Sequence, residues 1–140
     1  MSVYELSRAH LDVYADVIES LQERHVRTAD GARVAYQVIG TGAEVVMLAN
    51  GLGGRLYSWL PIVAALSDRY TFITWDYRGL FESGDAPDRA RMGVPDHAND
   101  LLEILQAENI EGPVHCIGWS MGVQVSLQFA LNHPERVKSL

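Results

Sequence analysis

The stretch Pro113-Val-His-Cys-Ile-Gly-Trp-Ser-Met-Gly-Val-Gln-Val-Ser-Leu-Gln-Phe129 decides the interpretation of this 140-residue sequence. Residues 113–117 form a short apolar run that is typical of a strand buried on both faces. From Val123 to Phe129, apolar and polar residues alternate with a period of two, which favours a strand. The same apolar residues also fit two stripes on the surface of a helix. We predict a helix from Met121 to about Asn132, because the turn before it requires one. Since both stripes are apolar, this helix is expected to be buried.

Between the predicted strand and helix lies Gly118-Trp119-Ser120-Met121-Gly122, a G-x-S-x-G pattern. Serine is a weak nucleophile unless it is held exposed beside a base. A sharp turn from strand to helix would expose Ser120, and crowding there would explain the two glycines. The helix would also direct its free N–H groups and positive end toward a forming oxyanion. The pattern predicts a nucleophilic serine; the alternative is a glycine-rich turn with an incidental serine.

Strands and helices alternate along the rest of the sequence. An Asp30-Gly31 turn signal lies between two strand-like runs, residues 26–29 and 33–39, and predicts a hairpin. This order favours an α/β fold, a mostly parallel sheet behind an antiparallel hairpin. The other predicted elements are strands at 45–49, 70–75 and 113–117, helices at 58–67 (with Pro61 in the first turn) and 95–108, and a loop over 76–94.

The first residues have a different pattern. Apolar side chains between Val3 and Leu21 recur with helical spacing, and Ser2 with Glu5 fits a capping box. We therefore predict one amphipathic helix over residues 2–23, packed on the domain or on a partner chain. The predicted organisation is an N-terminal helical extension over residues 1–25 and a domain over residues 26–140.

Two further segments follow predicted strands. The glycines of Asn50-Gly51-Leu52-Gly53-Gly54 would let the backbone turn an N–H toward a ligand, although a purely structural loop is the alternative. In Asp76-Tyr77-Arg78-Gly79, the charged side chains are predicted to tie the loop together rather than to perform chemistry. The apolar side chains of Trp119 and Met121 suggest an apolar lining of the site beside the serine. Buried core residues would give the same sequence pattern.

The three segments, in this order and spacing, resemble the α/β-hydrolase superfamily from about Val26 to Leu140. The resemblance implies a three-layer fold with Ser120 as nucleophile and the backbone N–H groups of Leu52 and Met121 as oxyanion hole. It implies positioning roles for Gly118 and Gly122 in the sharp turn around Ser120 and for Gly51 in the glycine-rich loop. It implies no cofactor and no metal. Two positions depart from the family pattern: Asn50 replaces a histidine, and Phe81 replaces a glycine.

The resemblance also implies an acid and a base histidine, which in the family follow later strands. His133 and His115 should lie about 20 Å and about 16 Å from Ser120, too far for a base. His97 stays open as a base, although a solvated histidine at a helix start is the ordinary interpretation. We therefore expect a fragment that ends at the start of the sixth strand and is inactive alone. The strand at 113–117 would then be close to an exposed edge that favours self-association.

Composition excludes several classes of function. Eleven basic and eighteen acidic side chains give a net charge of −7, and the basic residues are scattered, which disfavours nucleic acid and anionic membranes as partners. The single cysteine, Cys116, excludes an internal disulfide and a cysteine-based metal cluster. No apolar run approaches the ~20 residues of a membrane span, and the N-terminus lacks a secretory pattern. A cytoplasmic protein is expected.

The expected function is a serine hydrolase that acts on an ester, thioester or related acyl bond of a small molecule. Two alternatives remain. One is a non-catalytic α/β-hydrolase-like protein, truncated or completed by a partner. The other is an acyltransferase, which uses the same nucleophile with a different acceptor.

Overall fold

A computed structural model describes residues 12–140, in which one six-stranded sheet carries helices on both faces. Short 3-10 turns at Leu56–Trp59 and Pro134–Arg136 precede a helix and the last strand. The helices are α1 (Ala15–Glu19), α2 (Leu60–Leu66), α3 (Val94–Ala107) and α4 (Met121–Asn132), and the strands are β1 (Gln22–Arg27), β2 (Arg33–Ile39), β3 (Glu44–Ala49), β4 (Tyr70–Trp75), β5 (Val114–Gly118) and β6 (Val137–Ser139).

The strand order in the sheet is β1-β2-β4-β3-β5-β6. β2 pairs antiparallel with β1 and with β4, while β4, β3, β5 and β6 run parallel. The mostly parallel sheet with an antiparallel hairpin is therefore confirmed. Ala49, Trp75 and Gly118 end three neighbouring parallel strands, so the loops that follow them emerge at the same edge.

Side chains of the central strands alternate between two apolar cores. In β3, Val46 and Leu48 pack with Trp59 and Val63 on one face. Met47 and Ala49 point to the other face, where α3 and α4 cover them. The sheet is thus buried on both sides, and the predicted three-layer arrangement is confirmed.

Within the described residues, the N-terminal helix ends earlier than predicted. α1 ends at Glu19, and β1 begins at Gln22, which pairs with Val38 of β2. The predicted boundary between residues 25 and 26 thus falls inside β1, because pairing with β2 outweighs the helical pattern that reaches Leu21. Val17 and Ile18 of α1 pack on the core that contains Trp59, so the described part of the helix lies on the domain. The proposed capping box lies outside the described residues.

The hairpin connection also differs from the expected two-residue turn. It spans residues 28–32, and the Thr28 and Ala32 backbones are joined by a 2.9 Å hydrogen bond. The Thr28 hydroxyl donates to the Asp30 carboxylate and accepts from the Ala32 N–H, so it connects residues within the loop. Gly31 supplies the left-handed conformation at φ +89°.

α4 has the predicted bounds but not the predicted burial. Val125 and Phe129 are buried, whereas Val123, Leu127 and Leu131 of the other stripe are exposed. Only the first stripe faces the sheet, and no element of the described residues covers the second.

The sixth strand that is expected at the end of the sequence is present as β6, after β5. β6 pairs with Val114 and His115 of β5, so the expected edge is covered over that part. Residues 116–118 have no strand on this side among residues 12–140.

None of the helices over residues 12–140 combines the length and apolar character that a membrane crossing requires.

Candidate active site

Ser120 lies in a sharp turn between β5 and α4. Its backbone has φ +53° and ψ −124°, a conformation that is rare for a residue with a side chain. The turn is closed by hydrogen bonds from the Gly122 N–H to the Trp119 carbonyl (2.9 Å) and from the Val123 N–H to the Ser120 carbonyl (3.0 Å). Ser120 is exposed at the edge of the sheet. Residues other than glycine rarely adopt a positive φ angle, and those that do are concentrated at functional sites.

Two glycines of the turn have no space for a side chain. A Cβ on Gly118 would lie 2.3 Å from the Gly122 carbonyl oxygen, and a Cβ on Gly122 would lie 2.0 Å from the Ala49 carbonyl oxygen. Both obstacles are backbone atoms, which cannot move aside as a flexible side chain could. The predicted crowding around Ser120 is therefore confirmed.

The loop after β3 lies beside this turn. Ala49 pairs with Gly118 in the sheet, and the Trp119 N–H donates to the Ala49 carbonyl at 3.3 Å. Met121 is the first residue of α4, where a helix leaves N–H groups without acceptors. Within the part of the chain that the structure describes, neither the Met121 nor the Leu52 N–H has a hydrogen-bond acceptor. The two predicted oxyanion donors lie on neighbouring segments of chain, and their role in binding an oxyanion stays a prediction.

The Trp119 ring packs on the glycine-rich loop. Ring atoms lie 2.8–3.0 Å from the position that a Cβ on Gly51 would occupy, and 3.0 Å from that of Gly54. The side chain remains partly exposed. Its sequence-predicted role in lining the substrate stays a prediction, and its packing on the loop was not foreseen.

Asn50 occupies the position of the family's histidine and is almost fully buried. Its amide donates to the Thr74 hydroxyl at 3.0 Å and to the Trp75 carbonyl at 2.9 Å. Its side-chain oxygen accepts the Trp59 indole N–H at 2.7 Å, and its carbonyl accepts the Tyr77 hydroxyl at 2.5 Å. Asn50 therefore fixes the start of the loop through both donor and acceptor groups, as expected of an amide.

Arg55 ends the glycine-rich loop and pairs with Asp76 at the end of β4. Its guanidinium makes two hydrogen bonds to the carboxylate, at 3.1 and 2.9 Å, and lies 4.7 Å from the centre of the Phe81 ring. Burial raises the pKa of Asp76, and Arg55 opposes that shift. The sequence prediction missed Arg55, although loops after adjacent parallel strands meet at one edge. Phe81 adopts φ +49°, where the family pattern has a glycine.

Arg78 joins three segments of chain and has a structural role, as predicted. Its guanidinium donates to Asp100 of α3 at 2.7 and 2.8 Å and to Asp30 of the hairpin at 2.6 and 3.0 Å. The hydrogen bonds from Arg78 lower the pKa of Asp30 to about 2. Burial raises the pKa of Asp100 against the opposing effect of Arg78.

His97 does not match the prediction of a solvated histidine. It is buried and stacked on Tyr77, with ring centroids 4.3 Å apart. Its Nδ1 atom has no hydrogen-bond partner within residues 12–140. Burial lowers the pKa of His97 to about 4, with a further contribution from the Arg78 charge. The ring is therefore neutral near pH 7, and packing against Tyr77 explains its burial.

The other described histidines also lie away from Ser120. His115 is hydrogen-bonded to Ser139 and Glu44 at the opposite end of β5. His133 packs against Phe129 at the end of α4, and His25 lies on β1. Among residues 12–140, no histidine ring is hydrogen-bonded to the Ser120 hydroxyl. Cys116 is buried, which raises the pKa of its thiol to about 11 and fits an inert core residue.

A mostly parallel sheet whose fifth strand turns through a strained serine into a helix is the arrangement of the α/β hydrolases. The family model described as the alpha/beta hydrolase fold matches residues 44–140, and the chain belongs to this family.

Named relatives and a solved structure agree with this assignment. The chain is 36% identical over 116 residues to "Putative carbamate hydrolase RutD" of Caulobacter segnis, covering 81% of this chain and 42% of the relative. It is 36% identical over 111 residues to the dihydrolipoyllysine-residue acetyltransferase component of the acetoin cleaving system of Cupriavidus necator, covering 79% and 29%. Epoxide hydrolase VrEH1 from Vigna radiata superposes with a TM-score of 0.77 at 23% identity, over 86% of this chain and 39% of that one. The chain thus spans less than half the length of these proteins.

Proposed function

We propose that Ser120 is the nucleophile of a serine hydrolase that cleaves an acyl bond of a small molecule. The observation that carries the proposal is the strained, exposed Ser120 at a sharp strand-to-helix turn, next to the glycine-rich loop that contains Leu52. An activated serine needs a base, and none of the histidines over residues 12–140 is hydrogen-bonded to Ser120. The proposal therefore places the base histidine and its acid outside these residues, in agreement with the greater length of the relatives.

The reaction would proceed in two halves. The Ser120 oxygen attacks the carbonyl carbon and its proton passes to the base, while the carbonyl oxygen becomes an oxyanion held by the Leu52 and Met121 N–H groups. The tetrahedral intermediate collapses, the leaving group takes the proton, and an acyl-enzyme remains. Water then attacks this ester by the same route and releases the acid and the free serine.

The names of the relatives suggest carbonyl substrates. The Caulobacter segnis relative is named a carbamate hydrolase, and the carbonyl carbon of a carbamate is open to the same attack. The likeness to the epoxide hydrolase carries the fold alone, at 23% identity. Esters, thioesters and carbamates are therefore the compounds to test first.

An acyltransferase is the second candidate, favoured by the name of the Cupriavidus necator relative. Both reactions share the acyl-enzyme and differ in whether water or another nucleophile accepts the acyl group. Adding an alcohol or thiol acceptor separates them. A transferase converts the acceptor into an acylated product faster than it releases free acid.

The test is a kinetic one on the protein expressed from its whole reading frame. Hydrolysis of p-nitrophenyl esters is followed for the wild type, for Ser120→Ala and for Ser20→Ala, which removes a hydroxyl on the distant α1 end. We expect a burst of p-nitrophenol and steady turnover in the wild type and in the control, and neither in Ser120→Ala. Full turnover by Ser120→Ala would refute the assignment of Ser120 as the nucleophile. Stable folding without turnover or serine labelling in any of the three would favour the non-catalytic alternative.

A further inference from the structure

The loop that carries the Leu52 N–H has little internal support. Residues 51–54 contain three glycines, and the loop is closed by one hydrogen bond of its own, from the Gly54 N–H to the Gly51 carbonyl at 2.9 Å. Gly53 adopts φ +76° and has open space around it. Glycine-rich backbone loses more conformational entropy on ordering than any other. An N–H that must lie within hydrogen-bond distance of an oxyanion therefore needs support from outside the loop.

The first external contact is the Trp119 ring. Three of its atoms, Cη2, Cζ2 and Cζ3, lie within 2.8–3.0 Å of the place that a Gly51 Cβ would take, and Cζ2 is equally close to that of Gly54. The ring thus covers both ends of the turn that contains Leu52. Its own backbone is tied to β3 through the hydrogen bond to Ala49. Trp119, the residue before Ser120, therefore contacts the loop that contains Leu52.

The second contact fixes the far end of the loop. Arg55 holds the Asp76 carboxylate through two hydrogen bonds, and Asp76 is fully buried at the end of β4. The same carboxylate accepts the Glu82 N–H at 3.2 Å, so it is oriented independently of Arg55. The guanidinium also packs on the exposed Phe81 ring. The planar guanidinium, with two hydrogen bonds to a fixed carboxylate, defines both the position and the orientation of the Arg55 side chain. A lysine ammonium group would not fix the orientation.

We propose that Trp119 and Arg55 are positioning residues that hold the Leu52 N–H where the oxyanion forms. This inference rests on the proposed function and assigns Trp119 a role through the loop rather than through contact with the substrate. An oxyanion forms only in the transition state, so misplacing its donor reduces kcat and leaves substrate binding intact. A residue that lines the acyl site instead changes KM, and more so as the acyl chain grows.

The experiment uses p-nitrophenyl esters of increasing acyl length with Trp119→Ala and Trp119→Phe in the protein expressed from its whole reading frame. For Trp119→Ala we expect kcat to fall by about 10- to 100-fold, less than or equal to the ~10²–10³ that removal of a whole oxyanion donor costs. The loss should be the same for every ester, with KM unchanged and partial recovery in Trp119→Phe. A loss confined to KM that increases with acyl length would overturn the inference and make Trp119 a lining residue.

A pair of variants tests the contact itself. In Gly51→Ala the three atoms nearest to the new methyl group all belong to the Trp119 ring, so the loop or the ring must shift and kcat should fall. In Trp119→Ala the ring is gone, and adding Gly51→Ala should cause no further loss, since the methyl group enters vacated space. Fully multiplicative losses would show that the two residues act independently and would contradict the proposal.

Arg55→Lys provides the matching test at the other end. Arg55→Lys keeps the positive charge but loses the two parallel hydrogen bonds of the guanidinium, so kcat should fall equally for all esters. The control is Arg89→Lys, a change at an exposed arginine, which should leave kcat unchanged. Melting temperatures identify any variant that fails to fold. Turnover in Ser120→Ala would refute the proposed function itself. Loss of turnover in Ser120→Ala, with unchanged kcat in Trp119→Ala and Arg55→Lys, would refute only the positioning role.

Discussion

The indole N–H of Trp59 donates a 2.7 Å hydrogen bond to the Asn50 side-chain oxygen in the interior beside the candidate site. Because Asn50 also donates to Thr74 and Trp75, Asn50→Ala would remove three buried hydrogen bonds and leave the Trp59 indole N–H without its acceptor, while the Thr74 hydroxyl keeps its bond to the Leu48 carbonyl. A lost hydrogen bond costs about 1 kcal/mol and an unsatisfied buried donor roughly 1–3 kcal/mol, so the free energy of unfolding should fall by about 2–4 kcal/mol. Urea denaturation measures it. Asn132→Ala, which removes one exposed amide contact, should change it by less than about 0.5 kcal/mol.

Arg78 offers a test of the buried ion pair. In Arg78→Met the Asp100 carboxylate stays buried without its counter-charge, which typically costs about 3–5 kcal/mol. In the double variant Arg78→Met, Asp100→Leu, the unpaired buried carboxylate at position 100 is removed, and part of the stability should return. Denaturant midpoints of the single and double variants decide the matter. Equal stability of wild type and Arg78→Met would contradict the structural role.

His97 should make the protein sensitive to mild acid. Burial lowers its pKa to about 4 in the folded state, whereas an unfolded histidine titrates at about 6.5. The unfolded chain therefore binds the proton first, and stability that is complete above pH 6.5 is lost as the pH falls toward 4. The loss should be about 2–3 kcal/mol at 1.36 kcal/mol per pKa unit. Arg78 lowers this pKa and Asp96 raises it, and both are retained in the variant below.

The comparison is His97→Phe, which keeps an aromatic ring on Tyr77 and removes the titration. Its stability should fall less than that of the wild type between pH 6.5 and 4, as measured by denaturant unfolding at each pH. His25→Phe on the exposed side of β1 should behave like the wild type. Parallel pH profiles of wild type and His97→Phe would rule out the proposed origin.

Sequence patterns located most elements because their signals are local. β4 and α4 have the predicted bounds, since an apolar run and a turn motif define them without reference to the rest of the chain. The prediction places the strand at residues 26–29 and misses β1 over residues 22–25, because the side chains there are mainly exposed and the strand state depends on pairing with β2. Tertiary pairing overrides local preference at such positions.

The difference between local signals and long-range contacts also explains what was predicted of the candidate active site. The strained turn at Ser120 was predicted because a motif of five residues contains its geometric requirements. The burial of His97, the packing of Trp119 on Gly51 and the pair of Arg55 with Asp76 were not, because each joins segments far apart in sequence. Such contacts depend on which loops meet at the sheet edge, and residue spacing does not contain that information.

The exposed stripe of α4 predicts self-association of the 140-residue chain. Val123, Leu127 and Leu131 are 45%, 46% and 77% exposed, and Ile117 and Leu140 lie nearby on the same side of the sheet. Apolar surface of this kind favours contact with another chain. Sedimentation velocity over a range of concentrations should show dimers or larger species, which Leu127→Lys should reduce. A monomer at every concentration would contradict the expectation, and Val13→Lys on the exposed surface near α1 is the control.

The most direct measurement is the site of reaction with a fluorophosphonate, a reagent that forms a covalent bond with activated serines. The protein from the whole reading frame is labelled and digested, and the modified peptide is identified by mass spectrometry. We predict a single adduct on Ser120 and none in Ser120→Ala. An adduct on another serine, or none in a folded protein that hydrolyses esters, would contradict the assignment of Ser120 as the nucleophile.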